Sequence, residues 1–225
     1  MAIYEQENAL FDEWEKEVQG LVRDGAGDEY NNAKLKTVFI LKETNNAEDG
    51  FDLREFLSYG AIPQTWDTVA RWAEGLSRID EELLWEDLER ENDERRKEYL
   101  PKICAINLKK TSGGHSANNT ELYDAAKRDS AFLKRQLEIY NPDIIIICGM
   151  VTEDFFYKHV YNDKEYPGLR TSRGIWYVNS NGRIIVTYVH PDLRQYKNTE
   201  WVFYYGLIDA VKEILVNGER GNGSN

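Results

Sequence analysis

Short runs of apolar residues alternate with longer segments in which apolar residues recur at helical spacing. Runs rich in β-branched side chains favour strands buried on both faces, and they occupy 37–41, 103–107 and 143–148. Two further runs, 174–179 and 184–189, flank Ser180-Asn181-Gly182, a pattern typical of a β-hairpin. The helical spacing predicts helices over 4–23, 65–76, 81–99, 120–140, 151–160 and 201–216. The helix over 120–140 begins at Thr120, a residue type that caps helix N-termini.

The alternation of buried strands with helices predicts an α/β fold with a mostly parallel sheet covered on both faces. Neither an internal repeat nor a linker divides the chain. We therefore expect one domain over 1–217, with the helix 4–23 packed on it and a flexible tail at 218–225. In such sheets ligands bind beyond the carboxyl ends of the strands. This rule selects the loop 42–50, the loop 107–115 and the segment that begins at His190.

Composition and charge narrow the functional classes. The 225 residues carry a formal net charge of -12, which argues against a general nucleic-acid coat protein because phosphate neutralisation dominates that kind of affinity. Acidic residues gather in the first part of the chain and around 80–98, whereas 102–197 is mildly basic. An acidic protein with a locally basic face is consistent with this distribution.

The cysteines and the apolar content bear on the cellular location. Cys104 and Cys148 both fall in strand-like runs, which predicts buried, reduced thiols. No apolar run approaches the roughly 20 residues that a membrane-spanning helix needs, and the first residues lack the features of a signal peptide. We expect a cytoplasmic protein that has no membrane partner.

Several motifs follow one another in the order found in a known superfamily. Ile106-Asn107-Leu108-Lys109-Lys110 is followed by a glycine-containing loop and by a helix with Phe132-Leu133-Lys134-Arg135-Gln136-Leu137. Asn141-Pro142-Asp143, four isoleucines, Cys148 and Gly149 come next, and Val189-His190-Pro191-Asp192-Leu193-Arg194 follows later. Over roughly 37–195 this series resembles the uracil-DNA glycosylase superfamily, especially its thermostable bacterial branch. The resemblance implies a three-layer α/β/α sandwich around a short, mostly parallel four-stranded sheet.

The resemblance also implies roles for the residues at the strand ends. Asn107 corresponds to the residue that reads the edge of a flipped pyrimidine, a task that suits a side chain with both a donor and an acceptor. His190 corresponds to the histidine that stabilises negative charge on the departing base. Each also has a structural interpretation: Asn107 as a loop cap, and His190 as a partner of a backbone carbonyl.

Other residues of the resemblance would contact the base or the DNA backbone. Phe56 lies near the position of the ring that stacks on the flipped base, with Phe51 and Tyr59 as alternatives and a simple core position equally compatible. Leu193 and Arg194 match a loop that enters the duplex or grips phosphate. Lys109 and Lys110 are candidates for phosphate contacts, although a solvated lysine pair is the commoner outcome.

The first motif departs from the superfamily. The predicted strand ends in Leu41-Lys42-Glu43-Thr44-Asn45-Asn46, without the glycine and proline found there in relatives. Thr44 replaces an Asp or Asn and cannot act as a general base, so we assign it to the base-binding wall. Glu43 is the candidate that activates water, and Asn45 is a candidate that orients it. Glu43 also has a structural interpretation as an acceptor for its own loop. Asp49 and Asp52 are fallback bases.

The predicted activity is hydrolysis of the N-glycosidic bond of uracil, or of another damaged or modified base, after base flipping in DNA. No cofactor or metal is expected, because the iron-sulfur cluster of the thermostable branch needs four cysteines and this chain has two. We expect a monomer acting on single- or double-stranded DNA. Alternatives are a phage-defence glycosylase for hypermodified bases, an inactive relative that binds nucleic acid or protein, and a nucleoside hydrolase. Lys42 as an amine nucleophile is the feature that would permit lyase activity.

Overall fold

A mixed β-sheet forms the centre of the protein. The computed structural model describes residues 2–48, 50–62, 65–114, 117–161, 168–180 and 182–222, apart from the side chains of Arg194 and of 219–222. In the described residues the strand order is β1-β3-β2-β4-β7-β6-β5. The strands are β1 Gly25–Ala26, β2 Thr37–Leu41, β3 Cys104–Asn107, β4 Ile144–Cys148, β5 Leu169–Arg170, β6 Trp176–Ser180 and β7 Arg183–Tyr188.

The α/β class is confirmed, but the predicted four-stranded sheet is wrong. The parallel strands β3, β2, β4 and β7 form only the middle of a seven-stranded sheet. On one side, β1 pairs antiparallel with β3. On the other side, β6 pairs antiparallel with β7 and β5 pairs antiparallel with β6. The predicted hairpin is confirmed by the pairing of β6 with β7. Strands β1 and β5 contain two residues each, which is too short to produce a periodic pattern.

Helices cover both faces of the sheet. They are α1 Ile3–Trp14, α2 Leu53–Ser58, α3 Thr65–Ser77, α4 Trp85–Leu88, α5 Asp93–Tyr99, α6 Asn119–Arg128, α7 Ser130–Tyr140, α8 Met150–Phe155 and α9 Glu200–Asn222. Alternate strand residues point to opposite faces: Phe39 packs on the side of α2 to α5 and α9, and Val38 packs on the side of α1, α6 and α7. Cys148 and Cys104 are free and buried on these two faces, as predicted.

Three predicted helices are shorter than expected or divided in two. The helix predicted at 4–23 ends at Trp14, and Val22 already donates its backbone N–H to Lys110. The segment 81–99 divides into α4 and α5, since the Asn92 side chain caps the second helix. The segment 120–140 divides at Asp129, and Asn118 rather than Thr120 is its N-cap.

At the carboxyl end, α9 extends to Asn222, so the predicted tail 218–225 begins inside a helix. Residues 223–225 lie outside the described part of the chain. The helix predicted over 151–160 is present as α8, which continues into a single π-helical turn, Phe156–Val160. None of the described helices combines the length and the apolar character that crossing a membrane requires.

Candidate functional site

A cavity of about 490 Å³ opens at the carboxyl ends of the parallel strands. This is the position where α/β sheets bind ligands. Several elements line it: the loop after β2, the last residue of β3, His190 beyond β7, helix α2 and the start of α3. The predicted site residues in its wall are Glu43, Thr44, Asn45, Phe56, Asn107 and His190.

The loops that follow β2 and β3 are joined by backbone hydrogen bonds beyond the strand ends. Gly113 donates its N–H to the carbonyl of Thr44 at 2.8 Å, and Asn46 donates its N–H to the carbonyl of Gly113 at 2.9 Å. The Ser112 hydroxyl accepts the N–H of Ala47 at 2.7 Å. The two loops therefore form a short ribbon that continues the sheet under the cavity.

Asn107 ends β3 opposite Leu41 of β2, and its relative exposure is only 3%. Its Nδ2 donates to the Thr44 hydroxyl at 3.1 Å, while its backbone N–H donates to Asp24 at 2.7 Å. The bond to Thr44 orients the carboxamide, and the bond to Asp24 holds the backbone at the end of β3. Among the described residues, the second Nδ2–H and the Oδ1 of Asn107 have no hydrogen-bond partner. They form the donor and acceptor pair that a heterocycle edge requires.

Asp24 holds a second strand-end residue, Lys110, in the interior. The Lys110 ammonium lies 2.6 Å from Asp24 Oδ1 and 2.9 Å from the amide oxygen of Gln136. Burial lowers the pKa of Lys110, and the negative charge of Asp24 opposes this shift. The structure corrects the prediction of a phosphate contact, because the Lys110 side chain is enclosed on all sides.

Lys109 is also engaged internally. Its Nζ lies 2.6 Å from Oε2 of Glu43 and 3.5 Å from Glu121. The side chains of Lys109 and Glu43 are 10% and 2% exposed, so a phosphate contact from Lys109 is corrected as well. Gly113 packs directly on the Glu43 carboxylate, where a Cβ would overlap with it. Glu43 thus lines the cavity with its carboxylate already paired.

His190 lines the cavity and is exposed to solvent. The backbone N–H of Asp192 donates to its Nδ1 at 3.1 Å, so the proton of the neutral ring resides on Nε2. Desolvation and the positive charge of Lys42 lower the pKa of His190, whereas Asp192 raises it. The lowered pKa favours the neutral ring, in which Nε2–H is the donor.

Apolar side chains also line the cavity. Phe56 lines the cavity and packs against Phe51, with ring centroids 5.3 Å apart, and both rings are partly buried. Ile62 and Trp66 complete this group. Trp66 falls inside the helix predicted over 65–76, and its place on the first turn of α3 was the available signal for a site role. Tyr59 is exposed outside this wall.

The remaining predicted residues do not join the cavity. Leu193 is 4% exposed and packs in the core, which corrects its assignment to a loop that enters DNA. Arg194 begins a short 3-10 turn, and its side chain lies outside the described residues, as does Asp49. Asp52 caps α2 and pairs with Arg54 at 2.6 Å, so the structure corrects its role as a fallback base.

No protein-family model matches the sequence, and no curated protein is significantly similar to it. Function has to be inferred from the cavity. Its wall offers the Asn107 amide, the Thr44 hydroxyl and the His190 N–H, and it also contains aromatic rings. This arrangement suits a planar heterocycle that hydrogen-bonds along one edge and stacks through its faces.

Proposed function

We propose that this protein is a DNA glycosylase that hydrolyses the N-glycosidic bond of uracil or of another damaged or modified base. The supporting observation is the cavity that brings Asn107 and His190 together with the ring of Phe56. A base inside a duplex cannot reach such a cavity, so the nucleotide has to be flipped out, at a cost of a few kcal/mol in unstacking. DNA containing the modified base is the proposed partner.

Each residue has a distinct task in the proposed mechanism. The base stacks on Phe56, and the Asn107 carboxamide bonds its edge. When the bond between C1′ and the base nitrogen breaks, both electrons pass to the base. The Nε2–H of His190 donates to the base oxygen on which negative charge develops, and such a fixed donor in a desolvated site is worth about 10²–10³ in rate. Water adds to C1′ and its proton passes to the base or to solvent.

The position of that water depends on Glu43 or Asn45. Glu43 is close to the reacting face but paired with Lys109, whereas Asn45 is exposed at the rim. The Glu43 carboxylate is already held by an ammonium group, so it is not free to position a water molecule. This observation favours a second candidate function, a catalytically inactive relative that binds a base or nucleic acid. A glycosylase that acts on hypermodified phage bases shares the proposed mechanism and differs only in the base.

The test uses labelled single- and double-stranded oligonucleotides that carry uracil, hypoxanthine, xanthine or a hydroxymethylcytosine derivative. Alkali cleaves at any abasic site formed. We expect cleavage of one substrate, with losses of about 100-fold or more in His190→Ala and in Asn107→Ala. His159→Ala is the matched control, since His159 packs on Tyr123 and is not part of the cavity wall. Full activity in His190→Ala would contradict the proposal. Binding of a base without cleavage would support the inactive relative.

A further inference from the structure

Lys42, directly after β2, lines the cavity and is partly buried. Among the described residues no ion pair includes Lys42. Of the carboxylates in the described wall, Glu43 is neutralised by Lys109 and Glu48 is exposed. The described part of the wall therefore contains a cation that no carboxylate holds in an ion pair.

The Lys42 charge acts at the position of His190. Both residues line the same cavity, and the ammonium is close enough to lower the pKa of the imidazole. Asp192, on the other side of the ring, opposes this effect. A cation and an N–H donor thus line the same cavity, close enough for the charge of one to act on the other.

We propose that Lys42 is a second catalytic group, which holds the negative charge of the departing base together with His190. The inference rests on the proposed glycosylase function and specifies its substrate class. A fixed cation in a site of low dielectric stabilises an anion far more than it does in water. The favoured substrates are bases that leave as oxyanions, such as uracil, hypoxanthine or xanthine. Cytosine and adenine, which lack an equally acidic ring N–H and carbonyl pair, are disfavoured.

The step conserves atoms and charge. The C1′–N bond breaks and its electron pair goes to the base, which becomes a monoanion. Lys42 keeps its proton and pairs with this anion, while His190 donates a hydrogen bond through Nε2–H. The hydroxyl of the attacking water bonds to C1′, and the water proton neutralises the base as it leaves.

The test compares Lys42→Met, Lys42→Arg and Lys36→Met. Lys36 precedes the opposite, amino end of β2, and its backbone hydrogen bonds to Asp143 and Ile144 survive the substitution. We expect Lys42→Met to lower kcat about 100-fold with little change in KM, and Lys42→Arg to restore most of it. The pKa of His190, followed by NMR, should rise in Lys42→Met and stay constant in Lys36→Met.

A binding measurement keeps the inference testable without catalysis. Barbiturate is an anion at neutral pH and resembles uracil, so it should bind more tightly than uracil to the wild type. Lys42→Met should abolish this preference, as measured by calorimetry. If Lys42→Met retains both the rate and the preference while His190→Ala loses cleavage, the inference fails and the glycosylase proposal stands. If the wild type cleaves nothing, the glycosylase proposal fails, and the barbiturate preference alone decides whether Lys42 holds an anion. Borohydride trapping of a covalent adduct at Lys42 would overturn the electrostatic role.

Discussion

The ammonium of Lys109 lies 2.6 Å from the carboxylate of Glu43, and the two side chains are almost completely enclosed. Two residues with predicted catalytic and DNA-binding roles thus neutralise each other beneath the loop that follows β2. Removing either partner leaves the other as an uncompensated charge in the interior. The pair therefore stabilises the floor of the cavity.

Replacing Lys109 alone should be strongly destabilising. We expect Lys109→Met to lower the free energy of unfolding by about 3–5 kcal/mol, because Glu43 remains buried and unpaired. The double variant Glu43→Gln with Lys109→Met should lose much less than the sum of the single changes. Urea unfolding measures all three, with the exposed Lys134→Met as a control that stays within about 0.5 kcal/mol of the wild type. Additive losses would show that the two charges are not coupled.

Gly113 and Gly114 provide a matched pair of substitutions. A Cβ on Gly113 would overlap with the Glu43 carboxylate, whereas one on Gly114 would meet no heavy atom within 4 Å. Gly113→Ala should therefore lower the free energy of unfolding by about 1–3 kcal/mol and reduce ligand binding in the cavity. Gly114→Ala should do neither. Thermal unfolding distinguishes them, and equal effects in the two variants would argue against the close packing of Gly113 on Glu43.

A substitution of Leu193 tests whether this residue belongs to the hydrophobic core or binds DNA. Because the side chain is buried among core residues, Leu193→Ala should cost about 2–5 kcal/mol in the free energy of unfolding. Val202→Ala, which changes an exposed apolar residue of α9, serves as the control and should have little effect. Denaturant unfolding measures both. A Leu193→Ala variant with wild-type stability and weakened DNA binding would restore the duplex-entering role.

Glu7 should make stability depend on pH. Burial raises the pKa of Glu7 above 4.5, although Tyr140, the backbone of Ala26 and Arg54 oppose the shift. The folded state then binds the proton more tightly than the unfolded state, so this residue's contribution to stability falls as pH rises from 4.5 through the raised pKa. Glu7→Gln should remove this fall.

The measurement compares unfolding free energies between pH 4 and pH 8 for the wild type, Glu7→Gln and Glu17→Gln, in which an exposed residue is changed. Each unit of pKa shift corresponds to about 1.4 kcal/mol. The wild-type and Glu17→Gln curves should run parallel, with Glu7→Gln diverging from them above pH 4.5. Three parallel curves would mean that Glu7 titrates alike in both states.

The middle of the sheet and the position of the cavity could be predicted, because both follow from short apolar runs in the sequence and from the polar residues that come after them. The runs 37–41, 103–107 and 143–148 are apolar enough to indicate buried strands, and polar residues follow two of them. Because neighbouring parallel strands have their carboxyl ends at the same edge of the sheet, Asn107 and the loop 42–48 are expected to lie close together. The convergence of His190 follows in the same way from β7.

The roles of Lys109 and Lys110 could not be predicted, because their partners lie far away in the sequence. Asp24 is 86 residues from Lys110, and Glu43 is 66 residues from Lys109. One local signal was present. Ile106 and Leu108 pack into the same cluster, and the period of two that they establish points Lys110 inward as well.

The sequence contains residues that indicate where two of these helices begin, although the apolar periodicity does not show it. Asn92 and Asn118 are of the residue type that caps helices, and both do so here. Apolar spacing continued across Asn92 and Asp129, which made two helices look like one in each case. A helix N-cap depends on one polar side chain, as at Asn92 and Asn118, whereas apolar periodicity averages over many residues.

The hydrogen bonds between the loops after β2 and β3 restrict the conformations of this part of the cavity wall before any ligand binds. Gly113 is hydrogen-bonded to both Thr44 and Asn46, so moving one loop without the other would break both hydrogen bonds. The polar part of the wall is therefore preorganised, and little chain entropy is lost when a ligand is bound. The apolar part of the wall depends on side-chain size, since Phe56 of α2 and Ile62 line the cavity with their side chains. Directed evolution of ligand preference should accumulate its first changes at these side chains.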